Sequence, residues 1–167
     1  MKLNAQMLIE EKIILDPENL GKCAQVGYDL TIKNITRIKG GFVPKEGKAT
    51  IAKYSQMPLV NRKLGEEKIL CWELGKGIYS LTFDQGIRLD EKHSGEVKHR
   101  SSVLRCSGQI TSGEFDPGFE CENIGATLIV HEFLQVELGS RLAQVIVQSC
   151  WPTEKYEGSY QGDKDLK

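Results

Sequence analysis

The sequence predicts an all-β fold, a compact β-barrel or jelly-roll-like sandwich, on three observations. Glycine supplies 17 of the 167 residues, above the usual ~7%. These glycines separate short runs rich in β-branched and aromatic residues, which suit a pleated, half-buried backbone. One stretch alternates strictly, with Phe133, Gln135 and Glu137 on one face and Leu134, Val136 and Leu138 on the other. A period of two marks a strand with one wet side and one buried side.

The elements follow in chain order. A short helix is predicted over about 6–12, and Asp16-Pro17 closes that opening segment because the residue before a proline avoids the helical region. Strands are predicted at 24–32, 49–53, 68–72, 78–83, 103–110, 126–138 and 142–148. Gly139-Ser140 supplies a tight turn into Leu142-Ala143-Gln144-Val145-Ile146-Val147, the most apolar strand. The tail, about 156–167, carries glycines, tyrosines and charges without apolar periodicity. It reads as a flexible arm, ordered only by a ligand or partner. No internal repeat or low-complexity tract is apparent, and residues 1–167 read as one domain.

Composition narrows the function classes. Lysine and arginine number 22 against 23 acidic residues, for a net charge of −1, so no basic field draws nucleic acid or an anionic membrane. A small phosphorylated ligand is still compatible, since a few placed arginines and N–H groups hold one. Cys23, Cys71, Cys106, Cys121 and Cys150 are odd in number and lack a Cys-x-x-Cys pair, which disfavours a disulfide framework and a cysteine zinc site. Glu10, Glu11 and Lys12 follow Met7-Leu8-Ile9 directly, so no secretory apolar stretch is expected. No apolar run approaches the ~20 residues of a membrane span. The expectation is a soluble, cytoplasmic protein.

Three stretches do not read as core. Arg100-Ser101-Ser102 stands before the predicted strand 103–110 and offers a guanidinium fork, two hydroxyls and neighbouring N–H groups. That set suits either an oxyanion cradle or a polar turn with a surface ion pair. Phe115-Asp116-Pro117-Gly118-Phe119 contains a turn sequence, with proline presetting φ and glycine supplying a positive one. Its Asp116 either orients a water as general base between two aromatic rings or caps its own turn. The third stretch, Tyr156 to Gly162, can wrap a ligand with its tyrosines or remain an unstructured end. His93, His99 and His131 share no metal-ligand spacing, and no Gly-x-Ser-x-Gly or phosphate loop occurs.

Taken in order, these pieces resemble the dUTPase / dCTP deaminase superfamily from near Met7 to about Gly162. Val26-Gly27-Tyr28-Asp29-Leu30, behind Ile14-Leu15-Asp16-Pro17, resembles the first motif in the spacing of the deaminase branch. Arg100-Ser101-Ser102 resembles the second, and Phe115 to Phe119 the third. Gly139-Ser140-Arg141-Leu142-Ala143-Gln144 is similar to the fourth, and Ser159-Tyr160-Gln161-Gly162 to the deaminase branch's ending. The resemblance implies a distorted jelly-roll or β-barrel of the trimeric dUTPase type (β-clip). It also implies a homotrimer with active sites between subunits and an arm that closes over the nucleotide.

Carried over by position, Arg100, Ser101 and Ser102 bind the triphosphate, with Gln144 assisting. Asp116 positions the water beside the deoxyribose, and Phe119, Tyr156, Tyr160 and Gln161 contact the substrate. The backbone after Phe119 reads the pyrimidine edge. Mg²⁺ is held mainly by the phosphates, with no residue ligating it directly.

One departure separates the two chemistries of the superfamily. Its deaminases carry a proton-shuttling glutamate ten residues after the third-motif aspartate. Here that position is Ala126, or Thr127 with a one-residue insertion, and neither side chain moves a proton at neutral pH. Glu120 and Glu122 lie too early. The tail lysine is replaced by Ser159, a later glutamine by Asp163, and the arginine- and glycine-rich fifth motif is missing. The expected activity is therefore dUTP diphosphatase. The alternatives are a dCTP deaminase using another acid, and a catalytically silent nucleotide-binding trimer acting as sensor or regulator. Ammonia release from dCTP is expected to stay at background, since losing such a shuttle removes a factor of about 10²–10⁴. A coupled ammonia assay checks this, and robust release would mean the third motif is misaligned.

Overall fold

The computed structural model describes residues 1–51, 54–151, 156–158 and 160–162. Helix α1 (Ala5–Glu10) is capped by Asn4, whose side-chain oxygen accepts from the Met7 N–H at 3.0 Å. It ends two residues before the predicted 12, because Lys12 takes a left-handed φ of 55°. The strands that follow are β1 (Ile14–Leu15), β2 (Lys22–Cys23), β3 (Tyr28–Ile38), β4 (Gly41–Phe42), β5 (Thr50–Ile51) and β6 (Tyr54–Gln56). Then come β7 (Leu59–Leu64), β8 (Glu67–Phe83), β9 (Gly86–Arg88) and β10 (His93–His99). Helix α2 (Ser101–Arg105) precedes β11 (Gly108–Thr111), β12 (Glu120–Cys121), β13 (Gly125–Glu137) and β14 (Arg141–Ser149).

The main sheet runs β10-β14-β3-β8-β13-β11, with β2, β6 and β7 attached to β3 and β8. Its two end strands meet: the Val97 N–H donates to Ser112 Oγ at 2.8 Å, and His99 Nδ1 lies 3.2 Å from the Ile110 carbonyl oxygen. The sheet thus closes nearly into a barrel, which leaves little free edge. Leu30, Ile32 and Ile35 of β3, Tyr79, Leu81 and Phe83 of β8, and Leu128 and Val130 of β13 fill its interior, all buried. Burial of each such side chain contributes roughly 1.5–3 kcal/mol. A smaller sheet, β1-β9-β12, covers one end, and β4 pairs with β5 apart from both. Among the described residues no helix is long and apolar enough to cross a membrane.

The all-β expectation holds, and the differences are local. The predicted strand 103–110 is instead α2 followed by β11. Within Ser101–Arg105 only Val103 is buried, while Leu104 is 56% exposed, so a single turn of helix seats one apolar anchor where a strand would need alternate ones. Ser107, at a φ of 66°, then reverses the chain into β11. The strands 68–72 and 78–83 are one continuous β8, because Gly75 and Gly77 pair with β13 around its bulge between Val130 and Phe133. The strand predicted at 24–32 begins only at Tyr28. Gly27 has a φ of +89°, and a Cβ there would stand 2.5 Å from the Val145 carbonyl oxygen, so the backbone corner against β14 requires glycine. Strands β1, β2, β4, β6, β7, β9, β10 and β12 are additional to those predicted from sequence. Of the stretch 49–53, Thr50 and Ile51 form β5, while 52 and 53 lie outside the described residues.

Tyr28 fixes the entry to β3. Its side chain is buried and its hydroxyl donates to Asp16 Oδ2 at 2.9 Å; the same carboxylate accepts from the Leu20 and Gly21 N–H groups. Burial, and then the Asp16 hydrogen bond and charge, push the phenol well above its ordinary value. A raised tyrosine pKa favours the neutral folded form. Stability is therefore full below pH about 10 and falls by up to about 1.4 kcal/mol per pH unit above it. Tyr28→Phe is expected to cost about 1 kcal/mol near neutrality and to lose that alkaline slope, measured as denaturant midpoints between pH 8 and 11.

Candidate functional site

Asp29 lies on β3, buried and paired in register with Gln144 of β14. Gln144 Nε2 donates to its Oδ1 at 2.8 Å. On the other oxygen, Arg100 Nε stands 3.6 Å and Arg141 Nε 3.9 Å from Oδ2. Burying a carboxylate is costly unless donors and opposite charge replace its water, and here three side chains do so. Arg100 is fixed further by its own backbone N–H, which donates to the Leu142 carbonyl at 3.0 Å, and by Nη1, which donates to the Arg141 carbonyl at 3.2 Å. Extended at ψ 150°, Arg100 leads into α2. The turn of helix leaves Ser101 and Ser102 exposed beside it.

The structure thus brings Arg100, Ser101, Ser102 and Gln144 together at one end of β10 and β14. It corrects the setting of the first three, which open a helix rather than a strand. It also commits the Gln144 amide N–H to Asp29. Arg141, not singled out as a site residue from sequence, joins the cluster; the Gly-x-Arg wording of the fourth motif was its signal.

The second cluster is the Asp116–Phe119 turn. The Phe119 N–H donates to the Asp116 carbonyl at 3.0 Å and Gly118 has a φ of +80°, the pattern of a type II turn after Pro117. The Gly118 N–H donates to the Asp90 carbonyl at 3.0 Å, which ties the turn to the loop before β10. Phe115 exchanges two backbone hydrogen bonds with Gly95 of β10, and its ring stacks on Phe119 at 5.3 Å and 10°. Asp116 closes the turn with its carbonyl, not its carboxylate. That carboxylate is exposed and makes no hydrogen bond or ion pair with a described residue.

The arm residues that are described, 156–158 and 160–162, lie against or beside this turn. The Tyr156 N–H donates to the Pro117 carbonyl at 2.9 Å, and its ring meets Phe119 edge-on at 5.6 Å. Gln161 Nε2 donates to the Gly118 carbonyl at 3.0 Å, and the Glu120 N–H donates to Gln161 Oε1 at 3.2 Å. The Tyr160 hydroxyl accepts from the Ala49 N–H at 3.1 Å. Asp116, Phe119, Tyr156, Tyr160 and Gln161 are therefore neighbours, while Ser159 and Asp163 lie outside the described residues.

The two clusters do not meet within one chain. Phe115 is bridged to Gly95, while Arg100 follows the far end of β10. At 3.4 Å per residue those five steps span about 17 Å. The third element of the reading lies on β13. Ala126 faces the core at 7% exposure, and Thr127, half-buried, pairs with Thr111 and Ser80. Farther along β13, Glu132 is exposed in the bulge.

A dCTP deaminase-like family profile matches residues 3–150. The chain belongs to that family. A deoxyuridine 5'-triphosphate nucleotidohydrolase of Methanocaldococcus jannaschii is 27% identical over 150 residues, 89% of this chain and 90% of its own length. A Halobacterium salinarum protein named as a probable enzyme of the same kind is 26% identical over 139 residues, 83% of this chain and 82% of its own.

Among solved structures, the 2'-deoxycytidine 5'-triphosphate deaminase of Agrobacterium tumefaciens superposes with a TM-score of 0.63 at 14% identity, over 87% of this chain. The chain spans 47% of that protein's length. The dUTPase from phage phi11 of S. aureus, whose structure addresses coordination of a structural Mg(II) ion, gives a TM-score of 0.50 at 12% identity, over 86% and 94% of the two chains. At such identities the likeness is one of fold.

Within this dCTP deaminase-like chain, loss of the Asp29 carboxylate unties three side chains at once, those of Gln144, Arg100 and Arg141. Asp29→Asn keeps the shape but turns one acceptor into a donor facing Gln144 or the arginines. A cost of about 1–3 kcal/mol is expected, since half-exposed Arg100 and Arg141 regain water. Urea midpoints at an unchanged slope check it.

Proposed function

We propose that the protein hydrolyses dUTP to dUMP and pyrophosphate as a homotrimer. The observation that carries this reading is the Asp116 carboxylate, without a partner among the described residues, on an aromatic-flanked turn, in a chain with Ala126 and Thr127 at the position of a deaminase shuttle. The names of its archaeal relatives support the same substrate.

In this reading a water held by Asp116 attacks the α-phosphorus. The new bond joins the water oxygen to phosphorus, the bond to the bridging oxygen breaks, and pyrophosphate leaves. The proton released by the water passes to an Asp116 oxygen. Arg100, with Nη2 free of described partners, and the exposed hydroxyls of Ser101 and Ser102 bind and orient the phosphates. Gln144 assists through Asp29, holding the carboxylate that positions Arg100. Phe119 and Tyr156 supply ring faces and edges beside the base, with Tyr160 and Gln161 on the same arm.

The cradle fits a Mg²⁺ that arrives on the triphosphate. Both Asp29 oxygens are already engaged by side chains, and among the described residues no group of three or more His, Cys, Asp or Glu can hold a metal ion. Phosphate oxygens and water are then its ligands. When bound, Mg²⁺ neutralises charge on the phosphates. The span of about 17 Å between cradle and aspartate along β10 supports a site completed by a second copy, the cradle of one protomer facing the turn of the next.

The test incubates the protein with dUTP, dCTP or dTTP and Mg²⁺ and resolves the products by chromatography. Pyrophosphate and dUMP are expected from dUTP. Conversion of dCTP to dUTP overturns the reading in favour of a deaminase, and binding without turnover in favour of a sensor. Asp116→Asn is expected to lower dUTP turnover by roughly 10²-fold or more, with binding of a non-hydrolysable analogue retained. Near-normal turnover in that variant removes Asp116 from the chemistry.

A further inference from the structure

The arm does more on the turn than lie against it. Gly118 C=O and Glu120 N–H form an acceptor–donor pair on either side of Phe119, and both are taken by one side chain. Gln161 meets them with its carboxamide, N–H to the carbonyl at 3.0 Å and C=O to the N–H at 3.2 Å. A carboxamide presents a planar C=O and N–H side by side. The lactam edge of a pyrimidine ring presents the same pair, in the same plane, at nearly the same spacing. The Phe115–Phe119 stack and the Tyr156 edge stand next to it, a surface suited to a flat heteroaromatic ring.

We infer that the Gln161 carboxamide is an internal mimic of the pyrimidine edge, so that a base reaches the Gly118–Glu120 pair only by displacing it. The inference rests on the reading of the turn as the base-binding part of a dUTP site. Three features make the contact a reversible plug rather than a fixed strut. Gln161 is exposed, its two bonds are neutral, and the arm is otherwise held by the Tyr156 and Gly162 N–H groups, which donate to the Pro117 and Glu120 carbonyls. Those two bonds use different atoms of the turn from the pair in question, so Gln161 can swing out while the arm stays docked. A competitor built into the chain lowers apparent affinity by the fraction of time it is in place. It also rejects rings that cannot replace both of its bonds.

The test is calorimetric titration of the full-length protein and of Gln161→Ala with deoxyuridine, which carries no phosphate and so reports the base site alone. Removing the plug is expected to tighten deoxyuridine binding about three- to thirtyfold, the combined worth of two exposed neutral hydrogen bonds. Amide exchange at Glu120 supplies a second readout: faster in free Gln161→Ala than in the free native protein, and slowed again by saturating deoxyuridine. Unchanged or weaker binding in the variant, with native binding intact, overturns the inference and makes Gln161 a bystander or a substrate ligand. That result leaves the dUTP reading standing. If neither protein binds deoxyuridine and dUTP is not hydrolysed, the functional reading fails and the inference fails with it.

Discussion

A single buried carboxylate organises the end of the barrel where β10 leads into α2. Asp29 is inside the barrel wall with its side chain 6% exposed, and it draws in Gln144 from the neighbouring strand and the guanidinium groups of Arg100 and Arg141. Because burying a charge is costly, these partners take the place of much of the water that the carboxylate gives up. Arg100 is thereby fixed at the junction of β10 and α2, and with it the orientation of Ser101 and Ser102.

The barrel does the rest by geometry. Strand β10 carries the cradle beyond its C-terminal end and, through Gly95, the aromatic turn nearer its start. A strand is stiff along its length, so the two clusters are held apart at a set distance. The same closure of β10 on β11 that seals the core is what places the Asp116 turn outside the wall.

The arm shows how a polar segment becomes ordered without an apolar face. Its described residues bury no core residue. It is held by backbone donors meeting backbone acceptors of the turn, by one aromatic edge and by one carboxamide. Each contact is worth about 1 kcal/mol in net terms, enough in sum to favour docking and little enough that a ligand offering the same bonds can compete.

Local features were legible in the sequence because their causes are local. The alternation at 133–138 appears as buried Leu134 and Val136 against exposed Phe133, Gln135 and Glu137; Leu138 departs from it, 43% exposed beyond the strand's end. Asp-Pro-Gly makes its turn and Gly139, at a φ of +79°, makes the next one, since φ preferences belong to single residues. The motif order was likewise enough to name the family. Tertiary structure alone decided what depends on distant partners. It ran β8 unbroken through Gly75 and Gly77 because β13 supplies the bonds, and it folded 101–105 into a helix because only Val103 has a core to enter. It also set Gln144 on Asp29 and Gln161 on Gly118, contacts spanning 115 and 43 residues. No local preference encodes such pairings, because each exists only where the closed sheet brings the two segments together.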